Sequence, residues 1–139
     1  MFKKINFQFV LSYLGLFPFL VILLDYFFFK ILGSKIVKDF FILYSLIIFV
    51  FIGAVNWNLK KNISLIILLI GFMPSLASVL IIVMFLYSYE VINYLIILFI
   101  AQLILDSFIY REKNDRPIFY KLRIPLTITI LVCLTLIQL

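Results

Sequence analysis

Histidine is absent from the 139 residues, and cysteine occurs once, at Cys133. Without imidazole there is no His-ligated haem, no histidine general base and none of the commoner zinc sites, which leaves one thiol and six scattered carboxylates. A single cysteine also excludes an intrachain disulfide. Cys133 sits in an apolar run, where it reads as a small buried hydrophobe rather than a nucleophile. Glycine is scarce at four residues, and neither a glycine-rich phosphate loop nor a paired-carboxylate motif occurs. These absences leave no catalytic constellation, no metal site and no cofactor site, so the expectation is a protein that is not an enzyme.

What the chain does have is hydrocarbon. Hydrophobic residues make up 67% of it, with a mean hydropathy of +1.31, which leaves too little polar surface to cover a soluble globule of this size. A helix crossing a hydrocarbon core of ~30 Å needs about 20 mostly apolar residues. Runs at 9–29, 40–57, 63–86 and 91–109 are close to that length, and a fifth covers 122–139. None alternates as a lipid-facing barrel strand would. Only Ser88, Tyr89 and Glu90 separate the third run from the fourth, so the Glu90 break must reach a surface and close a tight hairpin. Lys3 and Lys4 resemble the start of a signal peptide. The first run is too long for a signal core, however, and Asp25, Tyr26 and three phenylalanines stand where a cleavage site needs small residues. The expected architecture is all-α: one transmembrane domain over 1–139, an integral membrane bundle of five helices.

Loop charge orients such a bundle, because short loops rich in Lys and Arg stay on the cytoplasmic side of a bacterial inner membrane. With five helices, one side collects Lys3, Lys4, Lys60, Lys61, Arg111, Lys113, Arg116, Lys121 and Arg123, and the other Lys30, Lys35 and Lys38. Nine against three predicts a cytoplasmic N-terminus and a periplasmic C-terminus in a multi-pass inner (plasma) membrane protein. The net charge of +6 is thereby explained at helix ends, beside anionic headgroups, and no nucleic-acid partner is expected. Tyr26, Trp57, Tyr87, Tyr89, Tyr110 and Tyr120 fall at the same ends, as an aromatic belt does.

Within lipid, helices associate where small residues admit close backbone approach. In the third helix Ser64, Gly71, Ser75 and Ser78 fall on one face and Ala77 widens it, while Gly53 does the same for the second. Pro18 and Pro74 each follow a glycine by three residues, Gly15 and Gly71, and leave the carbonyls of Leu14 and Ile70 without their helical donors. Kinks at both are expected, and Pro125 opens the fifth helix.

Polar side chains inside a span cost a few kcal/mol unless paired, at ~2.5–3.5 for a central charge. Asn56 and Trp57 at the end of helix two, Gln102 and Asp106 near the end of helix four, and Arg123 at the start of helix five would lie at similar depth in the cytoplasmic leaflet. Gln102 and Asp106 are four apart and share a helix face. The expectation is one polar cluster with Asp106 pairing Arg123 and Asn56 and Gln102 completing its hydrogen bonds. The alternative is that Asp106 and Arg123 each reach interfacial water alone.

Leu14-Gly15-Leu16-Phe17-Pro18-Phe19, Phe51-Ile52-Gly53-Ala54-Val55-Asn56-Trp57, Pro74-Ser75-Leu76, Gln102 with Asp106, and Tyr120 followed by Leu122-Arg123-Ile124-Pro125-Leu126-Thr127 occur in that order. Together they resemble the uncharacterised domain-of-unknown-function family of small inner-membrane proteins that includes eukaryotic transmembrane protein 69. The resemblance spans nearly the whole chain. It implies a five-helix integral membrane protein with relatives in bacteria and mitochondria, and no reaction. Where the family pattern has Gly-Val-His-Trp, this chain has Ala54-Val55-Asn56-Trp57; any proton or metal chemistry of that histidine is closed to Asn56.

Two roles remain. The favoured one is structural: an assembly or interaction component that packs against another membrane protein or a second copy of itself within the lipid bilayer. The other is a small transporter, or a binder of a lipid-soluble ligand such as a lipid headgroup, a quinone or an ion, at the cytoplasmic-leaflet cluster.

Overall fold

The computed structural model describes residues 7–56, 63–111 and 116–138, and every regular element among the described residues is helical. The first span comprises α1 (Phe7–Leu14), α2 (Phe17–Leu24) and a π-helical turn, Asp25–Phe29. The next three spans are α3 (Ser34–Ala54), α4 (Leu65–Leu86) and α5 (Ile92–Ile109). A short α6 (Arg116–Ile118), a second π-helical turn (Phe119–Arg123) and α7 (Ile124–Leu136) make the fifth. Five stretches are thus long and apolar enough to cross a membrane, Val10–Phe29, Ser34–Ala54, Leu65–Leu86, Ile92–Ile109 and Arg116–Leu136.

Two spans start earlier than their apolar runs. The second begins at Ser34 rather than at residue 40, because extended Gly33 releases the chain directly into helix and Lys35, Lys38 and Asp39 occupy its first turns. The fifth begins at Arg116 rather than at residue 122, through α6 and the π-turn. Long charged side chains at a helix end can reach the interface, so a run that stops at the first charge understates the helix.

The two Gly-x-x-Pro pairs fold differently. Around Gly15 the helix breaks, and Pro18 falls in the first turn of α2, where its missing N–H is no loss. The half-buried Gly15 carbonyl accepts the Tyr44 hydroxyl at 2.8 Å. Pro74, by contrast, lies inside an uninterrupted α4. There α4 meets α3 almost backbone to backbone: a Cβ on Gly53 would stand 2.5 Å from the Gly71 carbonyl oxygen and 2.8 Å from Pro74 Cγ. The buried stripe of α4 accordingly runs through Gly71, Pro74, Ser78 and Ile81, while Ser64 is exposed and Ser75 only half-buried. Pro125 stands in the first turn of α7.

At the centre is α3, which buries Val37, Phe41, Ile42, Leu46, Phe49 and Ile52 and packs along α4. α5 packs against α3, α4 and α7, with Phe99 against Phe49 at 5.0 Å between ring centroids. The first span is held more lightly. Its fully buried anchor, Phe19, meets Phe41 at 5.1 Å and Tyr44 at 5.0 Å, and the Tyr13 hydroxyl donates to the Lys121 carbonyl. Leu11, Leu14, Phe17, Leu20, Val21 and Leu24 face outward.

Both described reversals turn on a left-handed residue that is not glycine. At the end of α4, Ser88 adopts the left-handed conformation (φ 62°), the Tyr89 N–H donates to Met84 O at 3.1 Å, and the Ser88 N–H donates to Phe85 O at 2.9 Å. That pair of bonds is a Schellman motif, and it turns the chain toward α5 at Glu90. After the first span, Lys30 takes the same left-handed form (φ 52°), and the buried Asp25 carboxylate accepts the N–H groups of Ile31 at 3.2 Å and Leu32 at 3.0 Å. Asp25 is therefore a structural cap rather than a merely interfacial charge.

A polar cluster closes one end of the bundle

Three helix termini converge at one end. The last turn of α3 supplies Ile52 and Asn56, the last turns of α5 supply Gln102, Asp106 and Tyr110, and the π-turn before α7 supplies Arg123. Asp106 is the hub. Its Oδ1 accepts Gln102 Nε2 at 2.9 Å and Asn56 Nδ2 at 3.4 Å, and its Oδ2 stands 3.6 Å from Arg123 Nε. That last separation exceeds a hydrogen bond, and Arg123 Nε makes none, so the carboxylate and guanidinium are joined by charge.

The hydrogen bonds of Arg123 go elsewhere. Its Nη2 donates to the Ile52 carbonyl at 3.0 Å and to the Tyr110 hydroxyl at 3.2 Å. Ile52 can accept because α3 is ending: the Asn56 N–H, which would meet Ile52 in a continuing helix, bonds Gly53 O at 3.1 Å instead. The Tyr110 hydroxyl in turn donates to Asn56 Oδ1 at 3.0 Å, and the Arg123 guanidinium carbon lies 5.6 Å from the Tyr110 ring centre. Asp106 and Arg123 are only 1% and 4% exposed, so neither charge is met by water.

The π-turn explains how a residue so near the start of a span points inward. One extra residue per turn re-aims the side chains that follow it, and the Ile124 N–H closes this turn on Phe119 O. Arg123 thus leaves the set of loop charges.

The structure brings together Asn56, Gln102, Asp106 and Arg123; Trp57 lies outside the described residues. Gly53, Gly71 and Pro74 meet one turn below Asn56, whereas Gly15, Pro18, Ser75 and Pro125 lie apart from the polar group. Tyr110 is a member that sequence reasoning placed in the aromatic belt. Its signal was spacing, since residues 102, 106 and 110 recur every four positions along one face of α5. Two surface hollows, one lined by Tyr26, Phe27, Lys30, Leu32 and Ser34 and the other by Val10, Tyr13, Leu14, Phe17 and Leu20, open elsewhere. No group of three or more metal-ligating side chains occurs among the described residues.

Five apolar spans, two of them joined by a buried ion pair, define a helical bundle compatible with a multi-pass membrane protein. The family model described as "Protein of unknown function (DUF3429)" matches residues 6–139, and the chain belongs to that family. No curated protein and no solved structure matches it.

Proposed function

We propose that this is a multi-pass protein of a bacterial inner membrane with a cytoplasmic N-terminus, serving as a structural or assembly component rather than a catalyst or carrier. One observation carries the reading: Asp106 and Arg123, an oppositely charged pair within the spans, are buried against each other and against Gln102, Asn56, Tyr110 and the Ile52 carbonyl. A carrier presents its polar groups to a passing solute, and a pair committed to its own helices locks them together instead. Function then resides in the outer surface, where the first span offers a long apolar face to lipid or to another membrane protein. The sidedness follows from loop charge, which remains eight against three after Arg123 is withdrawn from the nine.

Extraction in a mild detergent, capture of the tagged full chain and mass spectrometry tests the reading. A reproducible membrane-protein partner, or a stable homo-oligomer, is expected; recovery of the monomer alone overturns it. In parallel, solute flux into liposomes is expected to be the same for the native chain and Asp106→Asn, and a selective loss in the variant would transfer the function to the cluster. An alkaline phosphatase fused to the C-terminus is expected to be active, and inactivity would reverse the topology.

A further inference from the structure

A second charged locality lies where the first span hands over to the second. Beside the Asp25-capped reversal is a hollow of about 400 Å³, lined by Tyr26, Phe27, Lys30, Leu32 and Ser34. Lys38 follows Ser34 by one turn on the same side of α3, and Lys35 is adjacent. Among the described residues the sole ion pair is Asp106–Arg123, so Lys30, Lys35 and Lys38 have no carboxylate partner. Asp25, which is near enough in sequence to serve Lys30, commits both oxygens to the backbone of Ile31 and Leu32.

The residues interleaved in sequence with that lining are as telling as its charge. Phe28, Phe29 and Ile31 are 76%, 69% and 81% exposed, with Ile31 the most exposed large hydrophobic residue described. A soluble anion would use the lysines and leave these apolar side chains unused. A molecule with an anionic head and an apolar body would use both. In the headgroup layer, exposed rings and aliphatic chains beside cationic ammoniums are at their most favourable position.

We propose that this hollow holds the phosphate headgroup of an anionic phospholipid, with Lys30 and Lys38 meeting the phosphate charge, the Ser34 hydroxyl donating to it, and Phe28, Phe29 and Ile31 beside the lipid's apolar part. The occupant is a lipid because unpaired cations and exposed apolar side chains share one short segment, residues 28–38. Each basic residue near an anionic membrane surface contributes ~1 kcal/mol, which converts to about five-fold in affinity.

Native mass spectrometry of the full chain in mild detergent, titrated with phosphatidylglycerol or phosphatidylcholine, tests this. The native protein is expected to retain phosphatidylglycerol in preference to phosphatidylcholine. Lys30→Ala/Lys38→Ala is expected to lose it by an order of magnitude or more, and Lys121→Ala, an exposed cation on the π-turn before α7, to behave as native. Thermal unfolding in lipid-free detergent checks that the double variant is folded. Should it melt early, the exposed Lys30→Ala alone is compared and a loss of about five-fold is expected. Equal retention of the two lipids, an unchanged double variant, an equal loss in Lys121→Ala, or displacement of the lipid by millimolar inorganic phosphate would each overturn the proposal.

Discussion

Removing both charges of the Asp106–Arg123 pair should cost far less than the sum of removing each alone. At 3.6 Å and an effective dielectric of ~20, the attraction is 332/(20 × 3.6), or about 4–5 kcal/mol. Most of that offsets the desolvation of two ions, so the pair as a whole contributes little net stability. A stranded partner is another matter. In Arg123→Met the carboxylate keeps Gln102 and Asn56 as donors, and a carboxyl can become neutral by taking up a proton; a cost of ~3 kcal/mol is expected. In Asp106→Leu the guanidinium keeps the Ile52 carbonyl and Tyr110 but cannot shed its charge, and the cost moves toward ~5 kcal/mol. The double variant Asp106→Leu/Arg123→Met leaves no buried charge, only the Gln102 and Asn56 amides and the Ile52 carbonyl unmet at ~1 kcal/mol each, for a total near ~3. Unfolding of the four proteins in bicelles, by heat or by added SDS, closes the double-mutant cycle, and a coupling of several kcal/mol is expected. Strictly additive single losses, or singles below ~1 kcal/mol, would mean that each group reaches interfacial water by itself and that the buried pair does not exist.

Gly53→Ala places a methyl group against the Gly71 carbonyl and the Pro74 ring, neither of which can rotate away, so α3 and α4 must separate; a loss of ~1–3 kcal/mol is expected in the same unfolding assay. Tyr44→Phe removes the hydroxyl that satisfies the Gly15 carbonyl, with an expected loss of ~1 kcal/mol and faster amide exchange confined to residues 7–29. Ser88→Gly relieves a left-handed serine in the Schellman turn and should raise stability by ~0.5–1 kcal/mol; a lower midpoint would show that the serine side chain itself matters there. Asp25→Ala uncaps the Ile31 and Leu32 N–H groups at an expected cost of ~1–2 kcal/mol, read as a lower thermal midpoint.

The five spans were legible because hydrocarbon thickness imposes a length that few soluble folds require, and runs of that length stand out in this chain. Their starts were less so. Lys35, Lys38 and Asp39 read as loop by hydropathy, yet the α3 backbone is satisfied through them, and hydropathy does not register backbone bonding. The polar group could be read because Asn56, Gln102, Asp106 and Arg123 are costly where they stand, and cost implies a partner. Tyr110 escaped that logic. A tyrosine is at home at an interface whichever way its hydroxyl points, so composition gave no reason to turn it inward. The two Gly-x-x-Pro pairs show the same boundary: identical spacing breaks the first span at Gly15 and leaves α4 whole, because only at Pro74 does a neighbouring glycine offer the ring a seat.

The order of the cluster along the chain has a consequence for synthesis. Asn56, Gln102 and Asp106 leave the ribosome before Arg123, so the first four spans enter the membrane with an acid whose cation has not yet been made. Until the π-turn and α7 follow, that acid must be held by water, by its amide neighbours or by the insertion machinery. A nascent chain stalled before residue 123 carries an unmet carboxyl inside hydrocarbon, whereas a finished one conceals it. Arrival of the fifth span and disappearance of that unpaired charge are therefore the same event, and a membrane protease that recognises unpaired intramembrane charge would distinguish the two states without reading anything else.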